Sequence, residues 1–238
     1  MVHSNIGIVT MNKFLSSTCL ILLATTAQVS AQSMIDAELS FAYINAPDDS
    51  FDYQLQGGGS AEFSAGPISF QTDVLFYKYE GVNDWARSFG LHAFYEVAPG
   101  LDVGLAYADD DYDYGIAYLE AKYVSGSNAF EGYYGVVVDN EDDTYFGIEY
   151  TRSLGAIGSM TDVDVIVGYA VNYYEGSPSV TNPYVGTSIG LGSGFSVDAR
   201  YASMDSGDYR YVTLGVTKTF GAGTTFGQRG FAGTFPGY

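Results

Sequence analysis

Residues able to do metal or nucleophilic chemistry are scarce in this chain: His3, His92 and Cys19 stand against 28 Asp+Glu. His92 could serve as a general base if a serine or carboxylate stood beside it. Ser88 precedes it on the same face of an extended segment, but at strand rise the two lie ~13 Å apart, too far for a hydrogen bond along one strand. Hydrolysis would need a partner from a neighbouring strand; without one, His92 is an ordinary polar side chain near Glu96. The acids offer a second chemistry. Asp109, Asp111, Asp113 and Glu120 match the first, third, fifth and twelfth positions of a calcium loop, yet Gly115 comes one place late and no helices flank the segment. Asp139, Glu141 and Asp143 form a second cluster. Solvated hairpin tips are the simpler account of both, so Asp109, Asp111, Asp113, Asp139, Glu141 and Asp143 are weak metal candidates. No cofactor is expected.

The elements that must carry these residues are strands. Ile35, Ala37, Leu39, Phe41 and Tyr43 alternate with Asp36, Glu38 and Ser40, and the same period of two recurs along the chain. It predicts twelve strands, at 35–43, 51–63, 68–79, 85–97, 101–107, 112–124, 130–138, 144–154, 162–173, 183–191, 195–204 and 208–220. The phase of the sixth is ambiguous around Tyr118–Lys122, and the tenth opens at Pro183 and is Gly-rich. Their connections fall into two alternating sets. One set is acidic, at 47–49, 80–84, 109–113, 139–143, 174–181 and 205–208. The other is short, small and nearly uncharged, at 65–67, 98–100, 125–128, 155–159 and 192–194. Rings flank both: Tyr43, Trp85, Tyr107, Tyr145, Tyr173, Tyr184 and Tyr201 lie beside the acidic set. Phe63, Phe70, Tyr95, Tyr123, Phe130, Phe195 and Phe220 lie beside the other.

Residues 1–31 read as a processing signal. Translation starting at Met11 would give a short basic start at Asn12-Lys13, an apolar core at 14–24 and a small-x-small site at Val29-Ser30-Ala31. That core is about half the ~20 residues a spanning helix needs. Cys19 lies within it, so the processed chain would hold no thiol and one histidine. Its loss removes Lys13 and no acid, leaving 8 basic and 28 acidic residues, a charge of -20. A balance so acidic excludes nucleic acid as a partner, because phosphate neutralisation needs a basic surface. One cysteine excludes a disulfide framework, and 47% hydrophobic residues with 16% aromatics argue against disorder.

Loops that segregate by charge in strict alternation have no purpose in a water-soluble sandwich, but they suit a barrel whose two rims face different compartments. With the export signal and the two aromatic belts, the pattern over residues 34–220 resembles a Gram-negative outer-membrane β-barrel of the porin-like type. Leu214-Gly215-Val216-Thr217-Lys218-Thr219-Phe220 is similar to the aromatic-ended last strand that such barrels present to their assembly machinery. The resemblance implies an all-β, closed, up-and-down antiparallel barrel of about 12 strands in the cell outer membrane. Its expected partners are outer-membrane lipid, lipopolysaccharide, the barrel assembly machinery and small cations or solutes; association into a homo-oligomer stays open. Loose divalent cations bridging the acidic loops to lipopolysaccharide are a further expectation. General porins have more strands and a long loop folded into the pore, whereas these loops are short. The last strand here is also followed by a Gly/Phe-rich tail, 221–238, on the periplasmic side. Disorder is the default for such a tail, with a plug or an extra strand as alternatives.

In a barrel the strand acids must turn inward, since a charge facing lipid is costly. The expected lumen-lining residues are Asp36, Glu38, Asp52, Glu62, Asp73, His92, Glu96, Glu131, Glu149, Asp164, Asp198 and Arg200, giving a wet, net negative interior. Lys78, Arg87, Arg210 and Lys218 lie in the apolar phase near strand ends, where they can snorkel. Rings of carboxylates would favour cations. The expected function is therefore a cation-preferring channel for passive diffusion of small solutes. The alternatives are a non-conducting structural or surface-interaction barrel and, less favoured, an intramembrane hydrolase.

Overall fold

A computed structural model describes residues 36–45, 53–111, 115–138, 140–158, 160–204 and 209–228; the expected leader falls outside them. Twelve strands follow in order: β1 (Asp36–Asn45), β2 (Tyr53–Ala65), β3 (Ile68–Tyr79), β4 (Ala86–Ala98), β5 (Leu101–Asp110) and β6 (Ile116–Ser125). The second half comprises β7 (Asn128–Val137), β8 (Asn140–Ser153), β9 (Asp162–Tyr173), β10 (Val180–Gly192), β11 (Phe195–Met204) and β12 (Tyr209–Phe220). Each strand pairs antiparallel with its sequence neighbours, and β1 pairs with β12 from Ala37↔Phe220 to Asn45↔Val212, so the sheet closes. The number of strands and the up-and-down order match the sequence pattern.

Period-two alternation becomes two faces. Along β1, Leu39, Phe41 and Tyr43 point outward and are exposed, while Ala42 and Ile44 point inward and are buried. Every strand repeats this, and outward Leu105 is 65% exposed. A continuous sleeve of exposed Leu, Val, Ile and Phe around a closed sheet is untenable in water and appropriate in hydrocarbon, where closure leaves no backbone edge unpaired. Exposed rings bound the sleeve. Tyr43, Trp85, Tyr107, Tyr173 and Tyr201 lie toward the acidic connections, and Phe63, Tyr95, Tyr123, Phe130, Phe195 and Phe220 toward the short turns. Tyr145 and Tyr184, expected in the first belt, instead point inward and are buried.

Four of the five neutral connections are two-residue hairpins, at 66–67, 99–100, 126–127 and 193–194, and the one between β8 and β9 is longer. Between β10 and β11, Ser193 and Gly194 both have positive φ (53° and 74°), the pairing a two-residue turn needs to match strand twist. Two acidic clusters are less loop-like than their composition predicts. Asp109 and Asp110 belong to β5, opposite Phe89 and Ser88, and β8 begins at Asn140, so most of the 139–143 cluster is strand. In β5 the ladder continues through Asp109 and Asp110, which periodicity alone reads as a turn, whereas in β8 the register to β7 shifts between Val136↔Thr144 and Val137↔Asn140, so the acids at 141–143 lie at an irregularity of the strand.

The lumen has two unlike halves. Toward the acidic connections it is packed with apolar side chains in two clusters, one of Ala106, Ala108, Ile116, Tyr118, Val137 and Tyr145, the other of Ile44, Ile166, Tyr184, Ala202 and Tyr211. Apolar packing thus occupies part of a lumen expected from the sequence to be wet and net negative. The inward charges concentrate toward the short-turn end.

Candidate functional site in the barrel lumen

Small residues on intervening strands let side chains two or three strands apart meet inside the barrel. His92 on β4 faces Ala106 on β5, and Gly104 on β5 faces Glu120 on β6. Because β5 contributes only Ala and Gly there, His92 reaches across it: Nδ1 lies 2.7 Å from Glu120 Oε1, and Nε2 lies 2.8 Å from Asp73 Oδ2 on β3. All three side chains are fully buried. Each ring nitrogen thus faces one carboxylate oxygen. Ser88 donates instead to the Asp109 carbonyl oxygen at 2.9 Å. With both ring nitrogens held by acids, His92 has no hydroxyl to activate.

A second bridge uses the same device. Gly168 on β9 lies between Glu149 on β8 and Tyr184 on β10 in the register. A Cβ on Gly168 would sit 1.9 Å from Tyr184 Cζ, so the missing side chain is the space the tyrosine ring occupies. Across that gap Tyr184 donates its hydroxyl to Glu149 Oε2 at 2.8 Å, and Arg200 Nη1 donates to the same oxygen at 3.0 Å.

The chain after β12 turns into the lumen. Gly221 and Gly223 have φ of +69° and +85°, and a Cβ on them would lie 2.0 Å from Asp36 Oδ1 and 2.6 Å from Glu38 Oε1. Only glycine permits this reversal beside two inward acids. Backbone amides of the segment then donate to the wall: Ala222 N–H to Asp36 Oδ1 (2.8 Å), Thr225 N–H to Glu62 Oε2 (2.7 Å) and Gly227 N–H to Glu131 Oε1 (3.1 Å). The Gln71 amide clamps Phe226, donating to its carbonyl oxygen at 2.9 Å and accepting from its N–H at 3.1 Å. Lys122 donates to the Thr225 carbonyl oxygen and pairs with Glu131 at 3.6 Å. The Phe226 ring, 1% exposed, stacks on His92 (6.1 Å between centroids, 12°) and meets Phe94 edge-on (5.1 Å). For residues 221–228 the default of a disordered extension is therefore replaced by an inward-folded segment. Residues 229–238 lie outside the described residues.

Beside this segment remains a cavity of about 610 Å³. Its lining reaches from Thr161, Gly192 and Gly194 at the short turns to Gln54 and Tyr79 near the acidic end. Six acids line it, Glu38, Glu131, Glu149, Asp162, Asp164 and Asp198, against two bases, Lys122 and Arg200.

The expected lumen residues thus divide by environment. Glu38, Glu131, Glu149, Asp164, Asp198 and Arg200 line the cavity. Asp36, Glu62 and Glu131 accept from the tail, and Asp73 and His92 are buried behind Phe226. Glu96 is exposed at the turn end of β4, where it accepts from the Gly100 N–H at 2.7 Å, and Asp52 lies outside the described residues. Gln71, Glu120, Lys122, Asp162, Tyr184 and Phe226 are lumen residues outside the set expected from the sequence. Once Leu119 is fixed outward (56% exposed), Glu120 and Lys122 must point inward, and this resolves the ambiguous phase of the sixth strand. The loop candidates show no shared centre. Asp111 pairs with Arg87 at 2.7 Å, Asp109 accepts from the Asp110 N–H, and Asp143 accepts from the Glu175 N–H at 2.7 Å. Asp113 and Asp139 fall outside the described residues, as does the Glu141 side chain. Among the described residues no group of three or more His, Cys, Asp or Glu side chains is arranged to hold a metal.

No protein-family model matches the sequence, and no curated protein matches it significantly. Solved structures do resemble the fold. A structure of KdgM porin superposes with a TM-score of 0.55 at 8% identity, covering 77% of this chain and 99% of that one. Another, KdgM porin in complex with disordered oligogalacturonate, gives 0.55 at 10% identity with the same coverage, 77% and 99%. A mutant porin of Rh. blastica reaches only 0.38 at 10% identity, over 79% of this chain and 100% of its own. At these identities the likeness is one of fold. By that fold, the chain is a closed twelve-stranded antiparallel β-barrel, similar in architecture to KdgM porin.

Proposed function

We propose that the chain works in the bacterial outer membrane as a channel for passive diffusion of small solutes, with a preference for cations. The observation that carries this reading is the acid-lined cavity reaching from the short-turn end toward the acidic end. Both bases in its lining are already matched, Lys122 by Glu131 and Arg200 by Glu149. Asp162, Asp164, Asp198 and Glu38 then set the sign of the field, and confinement in a low-dielectric wall strengthens it. The acidic connections at one mouth would raise the local cation concentration further. The same argument bears on solute class. Oligogalacturonate, the compound in the KdgM porin complex, carries a carboxylate on each sugar, and a lumen of this sign repels such a polyanion. Small cations and neutral solutes fit it better.

Purified protein reconstituted in a planar bilayer tests the proposal. A cation-selective current is expected, and replacing Asp164 and Asp198 together with Asn is expected to lower the cation-to-anion permeability ratio. Absence of current, or anion preference, would overturn it.

A second reading, a non-conducting structural or surface barrel, is favoured by the two apolar clusters and the inward tail. It predicts a folded barrel with no conductance. Lipid and lipopolysaccharide contacts of the outer sleeve, and recognition of 214–220 by the assembly machinery, are common to both readings.

A further inference from the structure

We infer that residues 221–228 form a built-in constriction, folded from the carboxyl-terminal side into the lumen, that sets the size limit of the channel. This rests on the reading of the barrel as a pore. A barrel of twelve strands has a backbone radius of ~12 Å, and side chains reduce the free bore to a fraction of that. An inward polypeptide segment in such a bore removes a large share of what remains. Here the segment lies against the wall formed by β1–β4, β6 and β7, where Asp36, Gln71 and Glu131 accept its amides. Permeation is left to the remaining space, which Glu149, Asp164 and Asp198 line on the side of β8, β9 and β11 and which also meets residues of β1–β3, β6 and β7.

The attachment is specific. Successive amides at 225, 226 and 227 each meet an oxygen of a different strand, on β2, β3 and β7. Phe226 is the anchor, because its ring covers the face of His92 and its backbone is held from both sides by Gln71. The acids that hold the segment accept from neutral amides, so docking consumes acceptor capacity without adding charge. Filling the lumen this way narrows the bore while leaving its sign negative. The constriction therefore acts as a selector of size, and the cavity acids as a selector of charge.

The test uses the full chain in lipid, comparing wild type with a Phe226→Ala, Gln71→Ala double variant. Heat-modifiable migration verifies that each barrel is folded. Two readouts are taken. Amide hydrogen exchange over 221–228 reports docking independently of conduction, and single-channel conductance reports the bore. Slow exchange at 225–227 in wild type is expected, lost in the variant together with a rise in conductance of about twofold or more, the order expected when a segment leaves a bore this narrow. Fast exchange in wild type would overturn docking. Protection lost with conductance unchanged would overturn the constriction and leave the pore standing. Protection lost with no current from either protein would overturn the pore reading, and the constriction with it.

Discussion

At the scale of single residues, the inner wall is organised by what is missing from it. His92 spans β5 because Ala106 and Gly104 stand aside, and Tyr184 spans β9 because Gly168 has no side chain. Truncating His92 to Ala would leave Asp73 and Glu120 buried without their shared partner, a loss of about 3–5 kcal/mol by the usual cost of breaking a buried pair. Urea unfolding in lipid should show a clear fall in midpoint; an unchanged midpoint would mean the triad is not buried as described. The same variant should leave phospholipid and peptide turnover unchanged, since His92 holds no nucleophile. Gly168→Ala should displace Tyr184 from Glu149 and destabilise by about 1–3 kcal/mol through overpacking. If its unfolding midpoint equals that of wild type, the ring does not cross β9. The sequence exposes little of this. His92 and Glu120 are 28 positions apart, and their meeting depends on register between three strands, which alternation along each strand does not encode.

At the scale of elements, alternation is a strong guide and charge a weaker one. Strand number, the phase of every strand but the sixth, and the two-residue turns follow from period two and from Gly-containing turn sequences. The limits of β5 and β8 do not, because Asp109 and Asp110 look like loop residues while their backbones continue the ladder, and Asp143 belongs to a strand whose register shifts around it. Lys218 behaves as the snorkelling argument requires: it lies over the rings of Phe195 (4.6 Å) and Phe220 (5.2 Å) and donates to the Ser193 carbonyl oxygen at the turn. The outward face carries a sharper prediction. Leu105, the most exposed large side chain of β5, should tolerate Val but not Arg, which is expected to cost about 2–4 kcal/mol if the position faces the hydrocarbon midplane. Equal stability of Leu105→Val and Leu105→Arg, measured by urea unfolding in liposomes, would mean that this face meets water.

At the scale of the whole molecule, a net charge of -19 is distributed with purpose. One portion decorates a rim, one holds the inward tail, one is buried with His92, and the rest lines a cavity. Only the first and last were legible from the sequence. The tail's role was hidden because its partners, Glu62, Gln71 and Glu131, lie on strands far away in the chain. The signal that could have revealed it is local: Gly221 and Gly223 flank a single residue after the last strand, and Phe226 follows in an otherwise small and polar run. The central claim is that this closed barrel conducts and that its cavity acids choose the ion. Reversal potential under a KCl gradient across a planar bilayer tests that most directly. The account predicts a potential of the sign set by K⁺ permeation, reduced in the Asp164→Asn, Asp198→Asn variant. A folded barrel that passes no current, or a potential of the opposite sign, would contradict it.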